Sequence, residues 1–279
     1  MSAYPTEVNR MRIVEIKAVK DENLNVKTIF FEDDLCSSAE AGQFVMVWIP
    51  GVDEIPLTLS SIGSRSKDGL SSVTVAEVGE ATRALRSMET GELIGVRGPF
   101  GNHFEAVGRG GRALVVGGGI GMASLMPLIE RLVENDVETT VLFGVKSRSN
   151  LLFMERLGEL SAQGRIRLLV TTEDGTYGAE GLVTEAAEKV LSSGRFDVVY
   201  SCGPEAMMYK IFGLAEKLGI PVQLSLERII RCAIGICGSC VVGPYRVCRD
   251  GPIFTSDRLR VIRDFGRFRR DFNGRKTPI

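Results

Sequence analysis

Residues 112–135 have the sequence "RALVVGGGIGMASLMPLIERLVEN", and this stretch decides the fold of the second half of the chain. A continuous apolar strand runs into glycines, and a segment with helical periodicity follows. The next run, "ETTVLFGV" at residues 138–145, again has the composition of a buried strand. Strands and helices alternate in this way as far as residue 226, which predicts βαβ units and a parallel sheet. Residues 105–226 are therefore predicted to form an α/β nucleotide-binding domain.

The first hundred residues have a different pattern. Short runs rich in Val, Ile and Phe, such as "VKTIFFE" (26–32), "QFVMVWI" (43–49) and "SSVTVAEV" (71–78), are separated by turn residues. One short helix is expected near "ATRALRSM" (81–88). Six short strands at this spacing predict a small antiparallel barrel over residues 1–104.

The glycine-rich turn is a candidate phosphate site. It lies between a buried strand and a helix, where backbone amides and the helix N-terminus bind a pyrophosphate. The turn departs from G-x-G-x-x-G, because Ser124 stands where that pattern has glycine. A tight strand–helix turn without a ligand is the alternative. The candidate residues of the turn are Gly118, Gly119, Ile120 and Gly121.

A second candidate segment lies on the same rim of the predicted sheet. Cys202, Gly203 and Pro204 follow another buried strand, and ligands of open α/β sheets bind along the carboxyl ends of the strands. Lys146 and Arg148 follow the second strand, where a dinucleotide's ribose is bound. They either favour a 2′-phosphate or are solvated loop charges, so both NAD and NADP stay open.

Four of the six cysteines lie within seventeen residues, at Cys232, Cys237, Cys240 and Cys248. The first three have the Cys-x4-Cys-x2-Cys spacing that is typical of plant-type 2Fe-2S ligands. A zinc site is the main alternative, although zinc sites usually pair two Cys-x2-Cys knuckles. A Cys-x2-Cys redox pair is weaker, since it normally opens a helix in a thioredoxin-like unit. We predict a small iron–sulfur module over residues 227–257, ordered by the metal centre.

Composition excludes some classes of function. The net charge is −1, and no run approaches the length of a membrane span, so neither nucleic acid nor membrane is expected as a partner. We expect a cytoplasmic protein, in which clustered thiols stay reduced. The Arg-rich tail, residues 258–279, is interpreted as a solvated basic helix or a docking surface, with a nucleic-acid arm as the weaker alternative. His103 is the one histidine, which gives hydrolase mechanisms little support.

Barrel, glycine loop and cysteine module, in this order, resemble the ferredoxin–NADP reductase superfamily. The segment "LERIIRCAIGICGSC" is similar to the electron transfer subunits of the NAD-dependent dihydroorotate dehydrogenase B family, and the likeness covers residues 9–257. The resemblance implies three cofactors: FAD in the barrel, a 2Fe-2S cluster in the cysteine module, and NAD in the α/β domain.

The resemblance also assigns residues to the cofactors. "LTLS" occupies the place of the family's flavin motif, with the serine kept and Leu57 where an arginine is expected to meet the FAD phosphates. Thr74, Val75 and Ala76 on the next strand match a flavin-lining segment of the family. Ala81 and Thr82, at the start of the following helix, match the family's Gly-Thr pair, with the threonine kept and alanine in place of the glycine. The flavin candidates are Leu57, Thr58, Leu59, Ser60, Thr74, Val75, Ala76, Ala81 and Thr82. The glycine turn and the "CGP" segment correspond to the nicotinamide-nucleotide site.

What the resemblance implies is an electron conduit and no acid–base residue. A partner subunit containing FMN would oxidise dihydroorotate for pyrimidine synthesis, and electrons would pass through the cluster and FAD to NAD. Two such chains and two catalytic subunits would form a heterotetramer. The same conduit serving a sulfite reductase or a hydrogenase is the first alternative. A zinc-stapled nucleotide-binding protein without a redox role is the second.

Overall fold

A computed structural model of the chain describes residues 6–279, and its first part is a closed six-stranded antiparallel barrel. The strands follow the order β1-β2-β5-β4-β3-β6 around the barrel, which confirms the predicted architecture. The strands are β1 Arg12–Asn23, β2 Val26–Phe31, β3 Phe44–Ile49, β4 Asp53–Ser61, β5 Ser71–Ala76 and β6 Leu93–Phe100. Two short helices interrupt them, α1 Asp34–Ser37 and α2 Glu80–Ser87.

Alternation along β5 shows how the barrel is filled. Val73 and Val75 point into the barrel core, which they share with Ile29 and Leu59. Their neighbours Ser72 and Thr74 therefore point outward, because successive side chains of a strand lie on opposite faces. This outer face is covered by the second domain, so its polar side chains are buried as well.

The second part is a seven-stranded sheet with helices on both faces. The sheet order is β10-β9-β8-β7-β11-β12-β15, parallel except for the last strand. The strands are β7 Arg112–Gly118, β8 Glu138–Val145, β9 Ile166–Thr172, β10 Ala179–Glu180, β11 Val198–Cys202, β12 Val222–Ser225 and β15 Ile253–Thr255. The helices are α3 Met122–Glu134, α4 Met154–Ala162, α5 Val183–Ser193 and α6 Glu205–Leu218.

Strand β7 explains why its sequence is apolar without interruption. Ala113 and Val115 belong to the hydrophobic cluster on one face of the sheet, and Leu114 and Val116 to the cluster on the other. A parallel strand covered by helices on both faces buries every residue. The glycines that end this strand therefore emerge at the centre of the carboxyl rim.

The C-terminal part contains a cysteine module and a tail. The module holds a small hairpin and a short helix, β13 Val241–Val242, β14 Tyr245–Arg246 and α7 Val247–Asp250. After β15 the tail forms α8 Ser256–Val261 and a second hairpin, β16 Phe268–Arg270 and β17 Lys276–Pro278. Where the sequence suggested a basic helix, the structure has one helix of six residues followed by this hairpin.

Charged side chains join the barrel to the α/β domain. Arg131 on α3 pairs with Glu40, and Arg65 pairs with Glu134 at 3.0 Å. Arg156 on α4 reaches the Ser60 carbonyl at 3.5 Å. These contacts hold α3 and α4 of the α/β domain against the barrel.

Candidate functional site

A cavity of about 370 Å³, here called the barrel cavity, lies between the barrel and the carboxyl rim of the sheet. Its walls are mainly apolar, with a few hydroxyl groups, which is the usual character of a cofactor site. The barrel side carries six of the residues that the sequence assigned to the flavin: Leu57, Thr58, Thr74, Val75, Ala76 and Thr82. The dimensions and lining suit a flat, largely apolar ring system with a polar edge.

Three other flavin candidates lie off this lining. Leu59 is fully buried inside the barrel, and Ala81 packs against the same core. Ser60 is fully buried and bonds to the hydroxyls of Ser72 at 2.9 Å and Thr74 at 2.8 Å. Within the "LTLS" segment, the hydroxyl that borders the cavity therefore belongs to Thr58.

Thr82 combines two roles. Its hydroxyl accepts from the Val78 and Gly79 amides, both at 2.9 Å, and donates to the Gly79 carbonyl. It therefore caps the start of α2 while it borders the barrel cavity. Among the described residues, Arg228 is the one cation on this lining, and its guanidinium is bonded to Glu205.

The α/β side of the barrel cavity was missed from the sequence. Ser124 at the start of α3, Ser225 at the end of β12 and Glu227 just after it complete the wall. The signal was available, because Ser225 and Glu227 lie at the carboxyl end of a parallel strand, on the rim where ligands bind. Ser124 is the residue that replaces glycine in the imperfect loop pattern.

Cys202 lies behind this wall and is not itself exposed to it. Burial raises the pKa of Cys202 to about 12, the nearby Glu227 carboxylate adds to the effect, and Ser124 and Ser225 oppose it. The thiol is therefore neutral at ordinary pH. Burial also raises the pKa of Glu227, with Arg228 opposing and Glu205 adding.

A second cavity, of about 640 Å³, lies along the glycine turn and is here called the glycine-loop cavity. Of the predicted residues, Gly118, Gly119, Ile120 and Pro204 line it. Gly121 and Gly203 instead make the close packing that shapes it. A Cβ at Gly121 would stand 2.5 Å from the Cys202 carbonyl group, and one at Gly203 2.9 Å from the Gly118 backbone. Glycine is therefore required at both positions.

The two charges proposed for ribose recognition are separated by the structure. Lys146 lines the glycine-loop cavity, and so does the carboxylate residue Glu173. The guanidinium of Arg148 lies 5.9 Å from the centre of the Tyr177 ring and takes no part in this lining. A mixed pair of charges accommodates a ribose with free hydroxyls as readily as a 2′-phosphate.

The four clustered cysteines form two pairs. Amides of Ile236 and Cys237 point at the Cys232 Sγ, at 3.4 and 3.5 Å. The Cys248 amide points at the Cys240 Sγ, at 3.4 Å. Backbone amides directed at sulfur stabilise thiolates and are typical of iron–sulfur sites. No disulfide joins any cysteine of the described chain.

Two of the four clustered thiols, Cys237 and Cys240, are suited to ionise. The hydrogen bond between Cys240 and Cys248 lowers the pKa of Cys240 to about 6 and raises that of Cys248. Burial opposes ionisation of Cys237, but hydrogen bonds with Ser239 and Cys232 outweigh it and lower its pKa to about 7. Thiolates are the form in which cysteines bind metals.

The paired arrangement fits a two-iron cluster. In a 2Fe-2S cluster each iron takes two cysteine ligands, so Cys232 with Cys237 can serve one iron and Cys240 with Cys248 the other.

In residues 6–279 no helix has the length and apolar character needed to cross a membrane.

Two family descriptions match the chain. Residues 227–260 match the "Iron-sulfur cluster binding domain of dihydroorotate dehydrogenase B", and residues 115–211 match the "Oxidoreductase NAD-binding domain".

Curated relatives match nearly the whole chain. A protein of Methanocaldococcus jannaschii is 41% identical over 266 residues, covering 95% of this chain and 97% of that protein. A protein of Methanothermobacter thermautotrophicus is 39% identical over 275 residues, covering 97% and 98%. Both are named "Probable dihydroorotate dehydrogenase B (NAD(+)), electron transfer subunit".

Solved structures agree with the fold. The structure of an NADH-dependent reduced ferredoxin–NADP oxidoreductase, described for flavin-based electron bifurcation, superposes with a TM-score of 0.78. It is 29% identical, and the match covers 90% of this chain and 93% of that one. The cytochrome b5 reductase domain of Ulva prolifera nitrate reductase gives a TM-score of 0.62 at 18% identity, covering 76% and 94%, which supports the fold alone.

Proposed function

The chain belongs to the family of electron transfer subunits of dihydroorotate dehydrogenase B, and from this we propose that it links dihydroorotate oxidation in a partner subunit to NAD. Its cofactors are FAD, a 2Fe-2S cluster and NAD. The cluster exchanges single electrons, the flavin exchanges one electron or a hydride, and NAD exchanges a hydride, so together they connect one-electron and two-electron chemistry. Orotate made by the complex would serve pyrimidine synthesis.

The residues have separate roles in this proposal. Cys232, Cys237, Cys240 and Cys248 hold the cluster. The barrel cavity, with Thr58 and Thr74 on its wall, holds the flavin ring. The flavin contacts of Leu59, Ser60 and Ala81 stay predictions, because these three residues lie off the cavity lining.

The nicotinamide nucleotide lies along the glycine-loop cavity, with its reactive end toward the flavin. The observation that carries the proposal is the meeting of the two cavities at Ala76, Val78 and Ile120, which line both. A hydride can pass only between rings in contact, and this geometry brings the two sites together along a shared wall. Glu227 and Ser225 complete the wall on the flavin side.

The partner in this proposal is an FMN-containing dihydroorotate dehydrogenase catalytic subunit, in a complex of two plus two chains. We place the complex in the cytoplasm, where reduced thiols are available for cluster assembly. The proposal is supported by the relatives' shared name and by the exposed side of the cysteine module, where Cys237 reaches the surface.

A cysteine variant tests whether the cluster carries electrons between FAD and the partner subunit. Cys237→Ser removes an exposed ligand with little disturbance to packing, and Cys36→Ala, which removes a buried thiol of the barrel, is the control. We expect Cys237→Ser to retain NADH-dependent bleaching of FAD but to lose electron exchange with the partner. Turnover with the partner at the wild-type rate would contradict the conduit.

Isolation of the untagged complex from its own cells tests the partner. Native mass spectrometry should find a dihydroorotate dehydrogenase subunit in equal amount, at a mass corresponding to two plus two chains. A second candidate is the same conduit in another redox complex, which the similarity to the NADH-dependent reduced ferredoxin–NADP oxidoreductase favours. A stoichiometric subunit of a different oxidoreductase would select that candidate.

A further inference from the structure

The Arg-rich tail has no role in the function proposed so far, yet it is firmly placed. Phe265 is buried against α6, with its ring 5.6 Å from that of Tyr209 and 6.0 Å from that of Phe212. The Gly266 amide donates to the Glu205 Oε1 at 2.9 Å. Gly266 has φ +71°, and a Cβ there would stand 2.3 Å from the Tyr209 ring. These contacts fix Phe265 and Gly266 against α6, just before the C-terminal hairpin begins.

The C-terminal hairpin, residues 268–278, then turns back over the rim of the sheet. Its strands pair between Phe268 and Pro278 and between Arg270 and Lys276. The turn is closed by the Asp271 carboxylate, which accepts from the Asn273 and Arg275 amides, both at 2.9 Å. A turn held in this way makes the hairpin a defined wall instead of a loose end.

This wall encloses a cavity of about 930 Å³, here called the hairpin cavity. The opposite walls are the glycine turn, the segment from Gly203 to Ala206, and the segment from Glu227 to Ile229. The hairpin cavity shares residues with both neighbours, and Ile120 lines all three cavities. The other shared residues are Gly118, Gly119, Pro204 and Ala206 with the glycine-loop cavity, and Glu227 and Arg228 with the barrel cavity. It therefore lies where the nucleotide site meets the flavin site.

Two arginines of the hairpin line this cavity without an ion-pair partner. In the part of the chain that the structure describes, no carboxylate pairs with Arg269 or Arg270, and Arg270 donates to the Gly274 carbonyl at 2.7 Å. Three carboxylate residues share the lining: Glu205 is paired with Arg228, Asp271 is bound by two amides of its own turn, and Glu227 lies on the opposite wall. The guanidinium of Arg269 is therefore available to an anionic ligand.

We propose that the C-terminal hairpin completes the dinucleotide site, and that Arg269 and Arg270 bind the phosphate of the nicotinamide half. This rests on the proposed function, since NAD is taken as the ligand. The nicotinamide half is indicated because the hairpin cavity adjoins the flavin site, whereas Lys146 and the ends of β8 and β9 line the glycine-loop cavity alone. Arginine suits this role because its fork of donors matches phosphate oxygens.

The test is a calorimetric titration of the oxidised, FAD-loaded protein with NAD, which binds without reacting. The double variant Arg269→Ala/Arg270→Ala should weaken NAD binding about tenfold, the loss expected for one charge-assisted contact. The matched control is Arg267→Ala/Arg275→Ala, which removes two positive charges from the same segment but none from the cavity lining. The control should bind NAD as the wild type does, and both variants should keep their FAD content and melting temperature.

Two fragments locate the contact. Nicotinamide mononucleotide should bind the double variant more weakly than the wild type, and AMP should bind both equally. The proposal would be overturned if the control variant lost as much NAD affinity as the double variant, or if the NAD affinity of the double variant were unchanged. A double variant that lost affinity for AMP but not for nicotinamide mononucleotide would also overturn it. A tighter affinity after loss of the two arginines would show that the hairpin obstructs the site. If the wild type itself does not bind NAD, the proposed function fails instead.

Discussion

The two halves of the cysteine module lie in different surroundings. Cys240 and Cys248 are buried in the hydrophobic cluster on one face of the sheet, together with Val242 and Val247. Cys232 is half-buried and Cys237 exposed, and between them Ile236 has 76% of its surface in solvent. One pair of ligands belongs to a protein core, and the other lies on a loop at the surface.

This difference shows where the module gets its order. The sequence suggested that the metal centre alone would order it, because the segment has no periodicity. The inner half, however, is as fully buried as a core segment, whereas the outer half lies at the surface and its Ile236 and Cys237 amides are bonded to sulfur. An electron acceptor or donor can approach the outer half, while the inner half faces the rest of the protein.

Residues 226–231 join β12 to the cysteine module and are here called the stem. The largest effect is expected there. Arg228 and Glu205 form a bidentate pair with side chains only 5% and 12% exposed. Arg228→Met should lower the free energy of unfolding by about 3–5 kcal/mol, because the Glu205 charge is left buried without a partner. Denaturant unfolding of the cluster-free protein measures this.

A surface pair provides the control for the stem. Arg260 and Glu216 have the same bidentate geometry, but the side chains are 57% and 27% exposed. Arg260→Met should leave the denaturant unfolding curve close to that of the wild type, because an exposed ion pair contributes little to stability. Equal losses for the two variants would mean that the stem does not anchor the module.

Next in size is the contrast between an inner and an outer cysteine. In the cluster-free protein, Cys248→Ser should destabilise the fold by about 1–3 kcal/mol, because it places a hydroxyl in an apolar core. Cys237→Ser should lie within about 0.5 kcal/mol of the wild type, since the position is exposed. Both variants should lose their iron on reconstitution. Matching unfolding curves for the two would contradict the division of the module into halves.

The smallest effect concerns pH and the stem residue Glu227. Its pKa is raised by burial, with Arg228 opposing and Glu205 adding. A carboxyl with a raised pKa binds its proton more tightly in the folded state, so it lowers stability as pH rises from its unfolded pKa of about 4.3 through the folded one. Glu227→Gln should therefore be more stable than the wild type at neutral pH and equal to it near pH 4.

The control for this profile is Glu188→Gln, which removes the same charge from an exposed position on α5 that lines none of the three cavities. Thermal unfolding across the pH range should leave the control parallel to the wild type. Glu227 keeps exposed surface although it lies in the cavity wall, so the expected effect is small, and a Glu227→Gln curve that also runs parallel would show that the wall does not change the proton affinity of this carboxyl.

The sequence was sufficient for regular elements and less so for contacts distant in the chain. The apolar run of β7 and the helical periodicity of α3 predicted the α/β domain, because each is a local pattern. Strand β15 was placed within the cysteine module, since "IFT" is too short to show alternation. It joins the sheet only because Leu224 and Phe254 pair across the edge.

The site shows the same limit. Thr58 and Thr74 were identified because the resemblance includes them, whereas the glycine turn was identified from its position between a buried strand and a helix. Ser124 and Glu227 line the barrel cavity because the α/β domain packs against the barrel, and this packing is not visible in the local sequence. The basic composition of the tail was compatible with a helix or with a docking surface. Its placement depends on contacts of Phe265 with two aromatic side chains of α6, and contacts so distant in the chain leave no local sequence pattern.

The antiparallel pairing of β12 with β15 has a consequence for the architecture as a whole. Ser225 and Ile253 face each other across neighbouring strands, so everything between them is one long hairpin loop. The sheet's strand order does not depend on what this loop contains. The iron–sulfur module is thus an insertion at a single edge of the sheet: replacing residues 226–252 by a short turn would remove one redox centre and part of the barrel-cavity wall, but would leave the strand order of the sheet unchanged.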